Sequence, residues 1–198
     1  AARENCTGGR RNDQGYEDNE TGQWCSDMFF TNRATTGWNY ATLLGDLLNT
    51  PRFEVALDFS ADGQILYFFR GFTLYSGEIL ADTAGQNAIT YPAFSSPMSP
   101  EDGDTAPFLA NDSLLLFASR RAGGQGGLDL YYAARTDNGW TEPRNLGPAI
   151  NSPYDETTPF LARDGRTLYF SSNHTGGMGG LDVYKSVFDP AKQTWSAP

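Results

Sequence analysis

The stretch that decides the fold is "TTPFLARDGRTLYFSSNHTGGMGGLDVYK", Thr157 to Lys185, because nearly the same text stands earlier as "TAPFLANDSLLLFASRRAGGQGGLDLYY", Thr105 to Tyr132. Pro107 maps to Pro159 at a distance of 52 and Asp129 to Asp182 at 53, the extra residue falling in the turn around Asp164 and Gly165. A more worn copy lies upstream. "ADGQILYF", Ala61 to Phe68, matches "RDGRTLYF", Arg163 to Phe170, and "LGDLLNTPRFE", Leu44 to Glu54, matches "LGPAINSPYDE", Leu146 to Glu156, both at 102. "CSDMFFTNRATTGW" then aligns with "GLDLYYAARTDNGW", which sets Asp27 with Asp129 and Trp38 with Trp140; Trp195 holds the same place in the last copy. Self-similarity at a fixed period, here about 51 residues, marks a repeat architecture.

Each unit predicts four short strands. In the last copy these are "TPFLA" (Thr158 to Ala162), "TLYFSS" (Thr167 to Ser172), "LDVYKSVF" (Leu181 to Phe188) and a segment starting around Trp195. Asp164-Gly165 between the first two is a hairpin signal, because Asp-Gly supplies positive φ cheaply. "SLLLF" (Ser113 to Phe117) and "ILYFF" (Ile65 to Phe69) are apolar at consecutive positions, so both faces of those strands must be covered. "YATLLGDLL" has Tyr40, Leu43, Leu44, Leu47 and Leu48 at helical spacing. Its register with "NLGPAINSP", where Pro148 and Pro153 forbid a regular helix, favours strand and loop instead. A four-stranded antiparallel unit at this period predicts an all-β chain built as a partial β-propeller, with a β-sandwich as the alternative. The expected divisions are 1–44, a partial blade with an insertion, and blades at 45–94, 95–146 and 147–198. Propellers close with about four to eight blades, so the sequence is expected to be part of a longer chain.

Composition narrows the function. The chain has 198 residues, 39% hydrophobic and 14% aromatic, enough for a substantial core. Its net charge of -10 argues against nucleic acid and anionic membranes as partners, since both are bound through Lys and Arg. No stretch approaches the roughly 20 apolar residues of a membrane helix, and the N-terminal residues lack a signal-peptide profile, so either a signal was removed or the piece was excised. The two cysteines, Cys6 and Cys25, bracket a very polar segment that has few apolar side chains to fold itself. A disulfide there would order it and imply an oxidising compartment; two buried free thiols are the alternative.

The glycine runs raise the question of a phosphate cradle. Such a loop follows a strand and opens a helix, whereas "GGMGGLD" (Gly176 to Asp182) lies between two strands and recurs as "GGQGGLD". Gly126, Gly127, Gly179 and Gly180 therefore read as turn residues, with Asp129 and Asp182 accepting hydrogen bonds from turn or neighbouring-strand N–H groups. Glu101, Asp102 and Asp104 match Asp155 and Glu156 at the repeat spacing, with Glu54 in the worn copy. These carboxylates read as ties between successive units; calcium is the alternative, although no EF-hand spacing occurs. No cofactor is expected. For catalysis there is no G-x-S-x-G elbow and only one histidine, His174, and the acidic residues recur by unit instead of forming one singular constellation. A non-catalytic chain is the expectation.

"PFLARDGRTLYFSS" followed by "GGMGGLDVY", with W-x-x-P, "NLG" and "INSPYDE" in the connector, resembles the TolB-type propeller repeat. More narrowly, it is similar to the version in Bacteroidota cell-envelope proteins, which often carry an OmpA-like peptidoglycan-binding domain or join secretion and gliding machinery. The resemblance covers about residues 25 to 198, and no OmpA-like segment lies in them. It implies an exported protein, in the periplasm or at the outer-membrane surface, acting as a scaffold for an envelope protein complex. The alternative it implies is a propeller accessory to an envelope hydrolase, peptidase or glycosidase, whose catalytic part lies elsewhere. Loops carry binding residues, so the candidates are Arg120, Arg121, Gln125, Asn173, His174 and Met178 at two polar tips. Arg10, Arg11, Tyr16 and Trp24 in the Thr7 to Trp24 insertion join them, since Arg and aromatic residues anchor partners.

Overall fold

The computed structural model describes residues 26, 28–44, 48–50, 52–60, 65–71, 73–78, 93–94 and 96–198. Cys6, Arg10, Arg11, Tyr16, Trp24, Cys25 and Asp27 lie outside the described residues, and with them the expected disulfide and the insertion. Among the described residues every strand ladder is antiparallel, in sheets of two to five strands, and no helix occurs. The all-β expectation is met. The chain divides into two compact units, Ala1–Ser96 and Pro97–Pro198.

In the first unit β1 (Phe29–Phe30) pairs with β4 (Thr42–Leu43), and β2 (Arg33–Ala34) with β3 (Gly37–Trp38). "YATLLGDLL" thus contributes a strand, and Tyr40, which a packed helix face would cover, is 99% exposed. A four-stranded sheet follows in sequence order, β5 (Glu54–Phe59), β6 (Ile65–Arg70), β7 (Thr73–Glu78) and β8 (Ala93–Phe94). Four consecutive residues of β6, Leu66 to Phe69, are buried, so both of its faces are covered. Leu66 and Phe68 pack with Met28 and Leu48.

The second unit holds two sheets of the same plan. In one, β9 (Thr105–Ala110), β10 (Leu114–Ser119) and β11 (Asp129–Thr136) are completed by the short β12 (Gly139–Trp140) and β13 (Arg144–Asn145) along β11. In the other, β14 (Glu156–Leu161), β15 (Thr167–Ser172), β16 (Asp182–Asp189) and β17 (Thr194–Trp195) lie in sequence order. The β9–β10 turn has positive φ at both Asn111 and Asp112, as a type I′ turn requires. In the β14–β15 turn Gly165 takes φ +66°, and Asp164 accepts from the N–H groups of Arg166 and Thr167, each at 2.8 Å, and from the Thr167 hydroxyl. These bonds, the hydroxyl first, hold the Asp164 carboxyl down at about 2.

The first strand of each sheet carries a bulge, between the partners of Leu116 and Ala118 in β10 and between Thr157 and Phe160 in β14. Ala106 and Thr158, at φ 51° and 48°, make the two bulges just before Pro107 and Pro159. A third ladder irregularity falls between Ala56 and Asp58.

Leu116, Ala118 and Leu130 of the first sheet meet Leu168 and Phe170 of the second, with Ile150 of the connector between them. All six are buried, and burying each large side chain contributes roughly 1.5–3 kcal/mol. The opposite face of the second sheet carries Tyr169, Val183 and Val187, all exposed. They stand where Leu116, Leu130 and Ala134 stand in the first sheet, because Phe170 pairs with Tyr184 as Phe117 pairs with Tyr131.

Candidate functional site

The connector Leu146–Glu156 holds the two sheets of the second unit together through polar side chains. Asn151 is buried; its Oδ1 accepts from Leu130 N–H at 2.8 Å, and its Nδ2 donates to Leu130 O at 3.0 Å and to Asn145 Oδ1 at 2.8 Å. Asp155 accepts from Leu128 N–H through Oδ1 at 2.8 Å, and Asn173 donates to its Oδ2 at 3.0 Å. Gly127 N–H donates to Tyr154 O and Glu156 N–H to Leu128 O, closing the seam on backbone alone. A Cβ at Gly126 would lie 2.3 Å from Tyr154 O and 2.4 Å from Ser152 O, so only glycine allows the sheets to approach this closely.

The two glycine loops share one hydrogen-bond plan. Asp129 Oδ2 accepts from Gln125 N–H at 2.5 Å, and Asp182 Oδ2 from Met178 N–H at 2.7 Å. A Cβ at Gly124 or Gly177 would come within 2.0 Å or 1.9 Å of the same oxygens. Each loop wraps its own aspartate, and no helix begins after either.

A third feature recurs and then changes. Phe68 pairs across the ladder with Tyr75, Phe117 with Tyr131 and Phe170 with Tyr184. Their rings stack with centroids at 5.3, 6.3 and 6.0 Å. A buried carboxylate opens the first strand of each sheet or stands one residue before it: Glu54, Asp104 and Glu156. In the first two the cage holds an arginine. Arg70 lies 5.7 and 5.0 Å from the Phe68 and Tyr75 rings, with Nε 3.2 Å from Glu54. Arg121 lies 5.3 Å from both Phe117 and Tyr131 and 2.5 Å from Asp104. Burial pushes the Glu54 carboxyl up to about 7, against the pull of Thr50 and Arg70. Burial also raises Asp104, against Ser119, Ser99 and Arg121.

The third cage has no arginine. Glu156 accepts from Ser152 N–H at 2.9 Å, Ser152 Oγ at 2.5 Å and Ser172 Oγ at 2.9 Å, and has no cationic partner among the described residues. The residue four after the phenylalanine, Arg121 in one sheet, is His174 in the other. The His174 ring stands edge-on to Tyr154 at 5.0 Å and to Tyr184 at 6.4 Å, and its Nδ1 accepts from Gly176 N–H. A pocket of about 200 Å³ opens beside it, lined among others by Asn151, Glu156, Phe170, Ser172, His174 and Tyr184. The Tyr184 hydroxyl is buried with no hydrogen-bond partner among the described residues.

Of the loop-tip candidates, Arg120, Gln125, Asn173, His174 and Met178 are exposed, Met178 almost completely. Arg121 turns back over its own sheet, and Asn173 is bonded to Asp155, so neither side chain reaches outward freely. Among the described residues no group of three or more His, Cys, Asp or Glu could hold a metal ion. Nor do the described residues form any helix long and apolar enough to cross a membrane. The pocket was not legible in advance, because its signal is a histidine where the register carries an arginine.

No family model matches the sequence, and no curated protein does. Among solved structures the chain is similar to a puromycin-hydrolysing peptidase of Mycobacterium tuberculosis, at 13% identity and a TM-score of 0.46 over 93% of this chain. The matched part is 32% of that peptidase, so the chain spans about a third of its length.

Proposed function

We propose that this chain is part of a TolB-like β-propeller that serves as a rigid, non-catalytic protein-binding scaffold in the bacterial cell envelope. The observation that carries the reading is where the recurring carboxylates are engaged. Asp129, Asp155 and Asp182 accept backbone N–H groups of turns or of the neighbouring sheet, and Glu54, Asp104 and Glu156 accept N–H groups four or five residues upstream. Side chains committed in this way in every repeat hold shape, which leaves the exposed loops for partners. The blade arrangement is supported by the matched faces. Leu130 is fully covered by the next sheet, and Val183 at the same position is 76% exposed, as the receiving face of a further blade would be.

The test is co-purification from an envelope extract of the source bacterium, with the intact protein and with residues 7–24 replaced by a short glycine-serine linker. A stoichiometric partner retained by the first and lost by the second is the expected result. No stoichiometric partner with either protein, or turnover of peptide or glycan substrates by the purified chain, overturns the scaffold reading.

A further inference from the structure

Three cages of one design occur along the chain, and two of them hold a guanidinium. Phe170, Tyr184, Glu156, Ser172 and His174 are the register counterparts of Phe117, Tyr131, Asp104, Ser119 and Arg121, and the same five line the pocket of the second unit. We propose that this pocket receives a guanidinium group from a ligand, held beside the Phe170 and Tyr184 rings and facing the Glu156 carboxylate, as Arg121 is held in the preceding sheet.

Four observations carry this. First, Glu156 is 1% exposed and its three donors are two hydroxyls and one N–H, none charged. A carboxylate offers about four lone-pair sites, so one remains, and a buried anion lacking a counter-charge is the costly half of an ion pair. Second, Tyr184 lines the pocket together with Phe170, so both members of the stacked pair are at its wall, as both rings flank Arg121 in the preceding sheet. Third, two stacked aromatic rings attract a planar cation through their quadrupoles; guanidinium, which stacks and donates in a fork, suits them better than ammonium. Fourth, the net charge of -10 draws cations toward the chain.

His174 does not supply the missing cation. Its Nδ1 is turned to its own loop, accepting from Gly176 N–H at 3.1 Å, and not to Glu156. It also meets Tyr184 at a steep angle of 76°, edge-on rather than over the ring. The inference requires neither a closed propeller nor a protein partner, so it stands or falls apart from the scaffold reading.

The ligand chemistry is shared by an arginine side chain of a peptide and by a small guanidinium compound, and the pocket volume suits one head group with its stem. Titration calorimetry of the intact chain with Nα-acetyl-arginine methylamide, the citrulline counterpart and an arginine-containing peptide separates these. The arginine derivative is expected to bind about tenfold or more tightly than the uncharged citrulline form. Tighter binding of the peptide assigns the site to a protein segment, and equal binding assigns it to the free group. Tyr184→Leu, checked for retained fold by circular dichroism, should abolish the preference. His174→Arg should place an arginine in the cage from within, raising Tm and abolishing binding. No binding at millimolar ligand, equal binding of citrulline, or undiminished affinity in His174→Arg overturns the proposal.

Discussion

Asn49 and Asn151 stand 102 residues apart and make the same pair of hydrogen bonds to a strand backbone. Asn49 accepts from Met28 N–H at 2.6 Å and donates to Met28 O at 3.0 Å; Asn151 accepts from Leu130 N–H at 2.8 Å and donates to Leu130 O at 3.0 Å. Each asparagine acts as an extra half-strand: it satisfies the N–H, and it gives a second donor to a C=O that Leu44 N–H or Leu146 N–H also reaches. Asn151→Leu leaves the buried Leu130 N–H unmatched, while Leu130 O keeps the Leu146 N–H at 3.0 Å, and should cost about 2 kcal/mol in urea unfolding. Asn151→Asp keeps the acceptor and loses the donor, and should fall in the same range because it also buries a charge.

Gly126 sets how closely the two sheets of the second unit approach. A methyl group there meets rigid backbone oxygen atoms of Tyr154 and Ser152, not a side chain that can swing away. Gly126→Ala is expected to destabilise by about 3 kcal/mol. Gly123→Ala, where a Cβ would meet nothing within 4 Å, should cost less, confined to the strain of its φ of +92°. Thermal unfolding of the two variants side by side checks the order.

The raised carboxyl of Glu54 makes stability pH-dependent. Its folded value of about 7 exceeds the ordinary 4.5, so between these pH values the folded chain keeps a proton that the unfolded chain releases. Stability therefore falls as pH rises through this window and levels off above it. Glu54→Gln, which cannot ionise, should flatten that decline. Tm measured from about pH 5 to about pH 8 for both proteins is the check, and parallel curves would contradict the assignment.

Ala106 occupies a left-handed conformation, φ 51°, at the bulge of β9. Ala106→Gly relieves strain of roughly 1 kcal/mol, partly offset by the greater freedom of glycine in the unfolded chain. A small net gain, about 0.5 kcal/mol, is expected in urea unfolding, whereas the same change at Ala118, buried in β10, should destabilise.

Much of the fold was legible because it was written more than once. The matching of Thr105–Tyr132 with Thr157–Lys185 gave the strand plan, and consecutive apolar runs such as Leu114 to Phe117 announced strands covered on both sides. Asp164-Gly165 marked its turn by backbone preference alone. The roles of Asn49 and Asn151 were hidden, since an asparagine two residues before a proline looks like any loop residue until its burial is known. Arg121 was hidden for a related reason. Beside Gly123 and Gly124 it reads as part of an exposed tip, and only the tertiary pairing of Phe117 with Tyr131 and the nearby Asp104 draws it inward.

Asp155 reaches backward. It grips the Leu128 N–H of the sheet that precedes it in the chain, and Asn151 grips Leu130 of the same sheet. Within the second unit the later sheet thus finds its foothold on a surface already finished, so these two sheets can assemble in one direction, in the order of their synthesis.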